Sequence, residues 1–267
     1  LVQMEIGQQL LILKENNVST ETYNLLLIVS DYFISYFIVD EVSKKLIKFD
    51  KNIFEKKIKE ENISKKLKDI LDKEFNSKIK FENIKVLHEN DLFVITPNEF
   101  YNKKDERFFL QFNASLKSND FICTDKIDYL KAKNTFVPFV NVNNLLIEYF
   151  GKVEYYHFNT ELIKKYFNQL SDFSFFAYTD NQRLKILVTD HKNQNKLLFF
   201  NSFNITVNTD IIYYLLLVKQ QINIAADQKI ILISDSSSTK SLEKELNQFF
   251  DNIQFENYTK NNFINSL

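Results

Sequence analysis

The sequence predicts an α/β protein of two similar lobes. Each lobe is a mixed sheet, a three-strand antiparallel meander continued by parallel strands, with flanking helices. Three observations carry this. Lys196–Ser234 reads as strand, turn, helix, strand, the pattern of a parallel crossover unit. Short apolar runs separated by polar turns come three in a row at two places in the chain. The order that follows each trio, helix, strand, helix, strand, is the same both times, which points to internal duplication.

The elements follow in chain order. Residues 1–22 read as an N-terminal extension, with Leu10–Leu13 open to either helix or strand. Asn24–Val29, Tyr32–Val39 and Leu46–Phe49 form the first meander, with Ser30-Asp31 as a turn. Phe54–Phe75 is rich in Lys and Glu, and Phe54, Ile58, Ile63, Leu67, Ile70 and Leu71 make an apolar stripe; a surface helix broken near Asn62 is expected. Asn83–Leu87 and Leu92–Thr96 are strands, and Asn98–Phe112 is a helix. Lys117–Lys133 is irregular, with a hairpin through Ile122 and Tyr129. Thr135–Pro138 is another apolar run, and helix Asn143–Phe150 stops at Gly151, a natural C-cap. Strand Val153–Phe158 and helix Thr160–Leu170 close the first lobe, residues 23–170, with an insertion around 98–133.

The second lobe, residues 171–258, repeats the order. Asp172–Tyr178, Leu184–Thr189 and Lys196–Phe203 are its meander. Asn208, Thr209 and Asp210 offer capping oxygens for a helix whose Ile211, Tyr214, Leu215, Val218 and Ile222 share one face. A strand at Ile230–Ile233, a helix at Lys240–Phe250 and a strand at Ile253–Phe255 follow, then a tail, residues 259–267.

Composition excludes several function classes. The 267 residues are 45% hydrophobic, enough for a core. With 34 basic against 35 acidic residues there is no electrostatic footprint for nucleic acid. One cysteine, Cys123, rules out an internal disulfide and fits a reducing cytoplasm. No apolar run approaches the ~18 residues a membrane span needs, and the amino terminus lacks the order of a signal peptide. Only two glycines occur, Gly7 and Gly151, so no glycine-rich phosphate loop or dinucleotide fingerprint can be written.

Two meanders, each continued by alternating helices and strands, resemble the duplicated ribonuclease-H-like architecture of actin-like ATPases. NTFVPFVNVNNLLIEYFGKVEYYHFNTELIKKYF is similar to the end of the first lobe in bacterial members. VITPNEFY, NTFVPF and KLLFFNSFNITVNTDIIYYLLLVKQQ more closely resemble the Bacteroidetes family known as domain of unknown function 3822. That likeness runs from about Tyr23 to Phe255 and is most specific from Leu197 to Gln221. It implies an actin-like ATPase fold and no established activity.

Actin-like ATPases cradle phosphates in the two hairpin turns and rest the nucleoside on a Gly-Gly turn. Here the turns read Ser30-Asp31-Tyr32-Phe33 and Thr179-Asp180-Asn181-Gln182-Arg183, and the third falls at Asp235-Ser236. None has glycine. Asp31, Asp180 and Asp235 are therefore candidates only for degenerate versions of those turns, and no catalytic residue, cofactor or metal is predicted. The carboxylates Asp180, Asp190, Asp210 and Asp235 are the candidates for a two-metal nuclease set; turn and cap roles explain them better. His88, His157 and His191 share no ligand spacing and read as surface or strand-edge residues. A Cys123–His nucleophile pair has no support.

The expectation is a cytoplasmic protein, degenerate in nucleotide binding, that acts as an interaction or assembly scaffold for an unknown protein partner, with self-association included. The reading leans against an enzyme. The alternative is an enzyme holding a nucleotide or sugar phosphate in the inter-lobe cleft, with Asp31 and Asp180 binding a metal through water.

Overall fold

A computed structural model describes residues 22–75, 79–167, 173–180, 182–190, 196–225, 227–234 and 239–257. Asp235, His191, the tail and all but the last residue of the extension lie outside these.

The first lobe opens with three antiparallel strands, β1 (Tyr23–Ser30), β2 (Phe33–Asp40) and β3 (Leu46–Ile53). β1 and β2 are buried on both faces, which is why they read as continuous apolar runs. Helix α1 (Glu60–Glu74) returns the chain to β4 (Phe81–Glu89), parallel to β1. The expected stripe is present in Ile63, Leu67 and Leu71, all buried. The helix starts later than expected and has no break at Asn62. Residues Phe54 and Ile58 are held outside it because their N–H groups bond Tyr32 O (2.8 Å) and Asp31 O (2.9 Å). Those bonds tie the segment to the first hairpin turn.

Between β4 and the last strand of this sheet the chain builds a separate antiparallel sheet. It consists of β5 (Phe93–Pro97), helix α2 (Glu106–Asn113), β6 (Cys123–Ile127) and β7 (Ala132–Phe136), in strand order β5-β7-β6. The expected hairpin is therefore β6–β7, and the Asn98–Phe112 helix is confined to α2 after a 3-10 turn at Lys103–Asp105. Helix α3 (Val140–Phe150) begins just past Pro138, three residues before the expected start. Gly151 closes it at φ +78°, with its N–H on Ile147 O at 2.8 Å. Strand β8 (Glu154–His157) pairs parallel with β4, and helix α4 (Phe158–Phe167) follows at once.

The second lobe has β9 (Phe173–Thr179), β10 (Arg183–Asp190), β11 (Lys196–Asn204), α5 (Asn208–Gln221), β12 (Ile230–Ser234), α6 (Thr239–Leu246) and β13 (Ile253–Asn257). The two large sheets run β3-β2-β1-β4-β8 and β11-β10-β9-β12-β13. One order is the other repeated, so the duplication read from the sequence is a duplication of topology. Asp210 caps α5 backward: its carboxylate accepts the N–H groups of Thr206 (2.7 Å) and Val207 (3.1 Å).

Strand alternation divides the core into three parts. Leu25, Leu27 and Val29 of β1 face α1 and α3 with Ile63, Leu67, Val142 and Leu146. In the second lobe Leu184, Ile186 and Val188 of β10 face α5 and α6. The opposite faces meet each other. Leu26, Ile28, Phe33 and Phe37 pack through α4 residues Phe158, Leu162 and Tyr166 onto Phe176, Tyr178, Leu187 and Ile233. Each such side chain is worth about 1.5–3 kcal/mol when fully buried, so the lobes share a continuous apolar junction.

Candidate functional site

The junction ends, on the side of the two hairpin turns, in charge. Alternation along β10 sends Leu184 and Ile186 outward and Arg183 and Lys185 inward. Parallel pairing of β1 with β4 sets Ser30 beside Glu89, and the chain continues past them into Asp31 and Asn90-Asp91. Basic side chains from one lobe thus face carboxylates from the other.

Arg183 is the centre. Its side chain is 0% exposed. Its Nη2 donates to Asp31 Oδ1 at 2.8 Å and to Asp91 Oδ2 at 3.2 Å, and its Nη1 to Ser30 Oγ at 3.3 Å. Nε lies 3.0 Å from Asp91 Oδ1, and the guanidinium carbon is 5.1 Å from the centre of the Tyr32 ring. Lys57, from the segment bonded to the first turn, reaches the other oxygen of Asp31 at 2.9 Å. Burial alone would lower the Arg183 pKa, but the carboxylates of Glu89, Asp31, Asp91 and Asp180 outweigh it and push it upward.

Asp180 shapes the second turn. Its Oδ1 accepts the N–H groups of Gln182 (2.9 Å) and Arg183 (2.7 Å), which ties the carboxylate to the start of β10. Its Oδ2 is buried without a hydrogen-bond partner among the described residues. Deeper in the junction, Lys185 Nζ lies 3.3 Å from Glu89 Oε1, and both side chains are 0% exposed.

The junction therefore brings together two of the three predicted turn residues, Asp31 and Asp180, joined through Arg183; Asp235 lies outside the described residues. It also corrects the histidine reading. His88 and His157 are buried register partners on β4 and β8, not surface residues. His88 Nδ1 accepts the Phe139 N–H (3.3 Å), which leaves Nε2 to donate to Asn143 Oδ1 (2.8 Å). Burial lowers its pKa to about 4, so the ring is neutral. His157 Nδ1 accepts the Asn159 N–H at the start of α4 (3.2 Å), and burial holds its pKa well below the usual value. Of the weighed nuclease carboxylates, Asp210 is a helix cap and Asp190 lies at the far end of β10 from Arg183. No group of three or more His, Cys, Asp or Glu side chains is arranged for a metal ion among the described residues.

Glu89, Asp91, Lys57 and Lys185 were missed. The detectable signal was Arg183 and Lys185 at period two in an otherwise apolar strand, since inward-facing cations in such a strand need carboxylates nearby.

Two grooves lie away from the junction, on outer faces. One of about 290 Å³ sits between β3 and α1, lined by Asp50, Asn52, Lys66 and Lys73 among others. The other, about 400 Å³, sits between α5 and α6, with Ile212, Tyr213 and Phe249.

Two sheets of the same order, packed through a shared core with their hairpin turns face to face, define a two-lobed actin-like ATPase fold. A Bacteroides thetaiotaomicron protein described as having an actin-like ATPase fold and unknown function matches with a TM-score of 0.71 at 19% identity, over 92% of this chain and 94% of that one. The ethanolamine utilization protein EutJ of Carboxydothermus hydrogenoformans matches with a TM-score of 0.52 at 9% identity, over 90% of this chain and 86% of that one. At these identities the likeness is one of fold. No curated protein matches the chain. Residues 14–253 match the family Protein of unknown function (DUF3822), and the chain belongs to that family.

Proposed function

We propose that this protein is a scaffold that binds a protein partner, with a nucleotide site that has degenerated into an internal clasp. The observation that carries the reading is Arg183, fully buried and bonded to Asp31 between the two hairpin turns. In the resemblance to actin-like ATPases those turns serve phosphates. Here a protein cation engages the carboxylate of the first turn, and Asp91 and Asp180 add negative charge beside it that opposes a phosphate chain. The shared core further supports lobes that keep one spacing. Function then falls to the outer surfaces, through a protein partner or a second copy of the chain, in the cytoplasm. No described helix is long and apolar enough to cross a membrane.

Affinity capture from native cells, repeated with excess Mg-ATP, tests this. A reproducible protein partner whose yield is unchanged by Mg-ATP is expected. Recovery of a tightly held small molecule with no protein partner contradicts it.

A second reading, an enzyme acting on a nucleotide or sugar phosphate in the cleft, draws on one observation. The buried oxygen of Asp180 and both oxygens of Glu89 lack hydrogen-bond partners among the described residues, as a ligand-binding set would. Asp31→Asn and Asp180→Asn should then change binding of a phosphorylated ligand in calorimetry; unchanged titrations for both variants eliminate it.

A further inference from the structure

A second charged pair lies below the clasp. Glu89 closes β4 in the first lobe and Lys185 stands on the inward face of β10 in the second, so their 3.3 Å contact spans the junction. Both side chains are wholly buried. Neither Glu89 oxygen nor the Lys185 nitrogen makes a hydrogen bond of normal geometry among the described residues. Buried ion pairs recover their lost hydration only when further hydrogen bonds complete them. This pair lacks them, and it is held by the packing of the strands around it, with the Phe158 ring centre 5.6 Å from the ammonium.

We propose that Glu89 is a proton-binding residue that makes the junction between the lobes pH-sensitive, tighter when its carboxyl is neutral and looser when it is ionised beside Lys185. Among the described residues, the charged and titratable groups around it come from several elements. β10 supplies Lys185 and Arg183, the second turn Asp180, and the first turn Asp31, with Lys57 behind it. Asp91 follows in the chain, and β4 and β8 contribute His88 and His157, both neutral through burial. The two histidines therefore add no charge, while Asp180 opposes ionisation of Glu89, and Lys185 and Arg183 favour it.

Burial is the largest influence, and it raises the Glu89 carboxyl from 4.5 to about 7 against the pull of Lys185. A carboxyl raised by folding contributes stability that is fully present below about 4.5 and is lost as pH rises through about 7. His88 acts in the opposite sense, since its stability is present above 6.5 and lost as pH falls through about 4. Asp125, raised to about 6 by burial, acts in the same sense as Glu89. The test must therefore isolate Glu89.

Urea unfolding between pH 5 and 8.5, on wild type, Glu89→Gln and Lys185→Met, does so by difference. Subtracting the Glu89→Gln profile from that of wild type should leave a single downward slope from the acid end of the range that levels off near pH 7, with wild type losing stability relative to the variant as pH rises. Lys185→Met should move that levelling-off upward by about one pH unit or more, because an opposite charge this close holds a carboxyl down by about 1–3 units. A difference profile that is flat across the whole range, or already level by pH 5, overturns the proposal. Infrared titration of wild type with ¹³C-labelled Glu keeps the proposal testable should either variant fail to fold. A protonated carboxyl persisting at pH 6 is expected, and complete ionisation of every labelled glutamate by pH 6 overturns it.

Discussion

Arg183→Ala removes the cation from the clasp and leaves its carboxylates behind. Breaking a buried ion pair from one side costs about 3–5 kcal/mol, because the remaining charge loses its partner. Two features place this case at the low end. Lys57 stays 2.9 Å from Asp31, although at 57% exposure it is screened by water, and Asp91 is itself 40% exposed and can rehydrate. Asp31, 8% exposed, cannot. A loss of about 3 kcal/mol follows, equivalent to a fall in Tm of about 6–12 °C at roughly 2–4 °C per kcal/mol for a chain of this size class. Circular dichroism melting measures it. Arg183→Lys should recover only part, because an ammonium cannot reproduce the forked contact with Asp31 and Asp91. Arg183→Ala/Asp31→Asn should lose less than the sum of its single variants, since removing both partners leaves neither charge buried without the other. A Tm for Arg183→Ala within about 2 °C of wild type, less than 1 kcal/mol, refutes the clasp.

Two further outcomes follow from the fold. Gly151→Ala adds a Cβ with no atom within 4 Å, so its cost is conformational alone, at φ +78°; urea unfolding should show a loss of about 1–2 kcal/mol. Asp210→Ala removes the carboxylate that accepts the Thr206 and Val207 N–H groups, and Tm should fall at neutral pH. Those hydrogen bonds lower the Asp210 pKa below 3.8, so the difference from wild type should persist above that value and close as pH falls through the depressed pKa.

What could be read in the sequence, and what could not, divides along the range of the interactions. β1, β2 and β10 carry unbroken apolar runs, and the cap at Asp210 and the stop at Gly151 act within a few residues of themselves, so each was visible locally. The repeat of strand order was visible because each half carries the same succession of local signals. The start of α1 was misread because Phe54 and Ile58 fit a helical stripe while their N–H groups are taken by Tyr32 and Asp31 across a turn. His88 looked like a surface residue because its partners, Phe139 and Asn143, come from about fifty residues away. The same holds more strongly for the junction. Asp31 and Asp180 were singled out as turn residues, but Arg183 meets Asp31 across 152 positions and no local pattern reports such a pairing.

The central claim is that the turns facing each other between the lobes are closed by the protein's own charges and no longer serve a phosphate chain. A thermal-shift titration with Mg-ATP addresses it directly. A ligand bound by the native state alone, at about 100 times its Kd, stabilises by about 2.7 kcal/mol and raises Tm by roughly 5–10 °C. A Tm that does not move up to millimolar Mg-ATP is the result the clasp predicts, and a saturable rise of several degrees contradicts it.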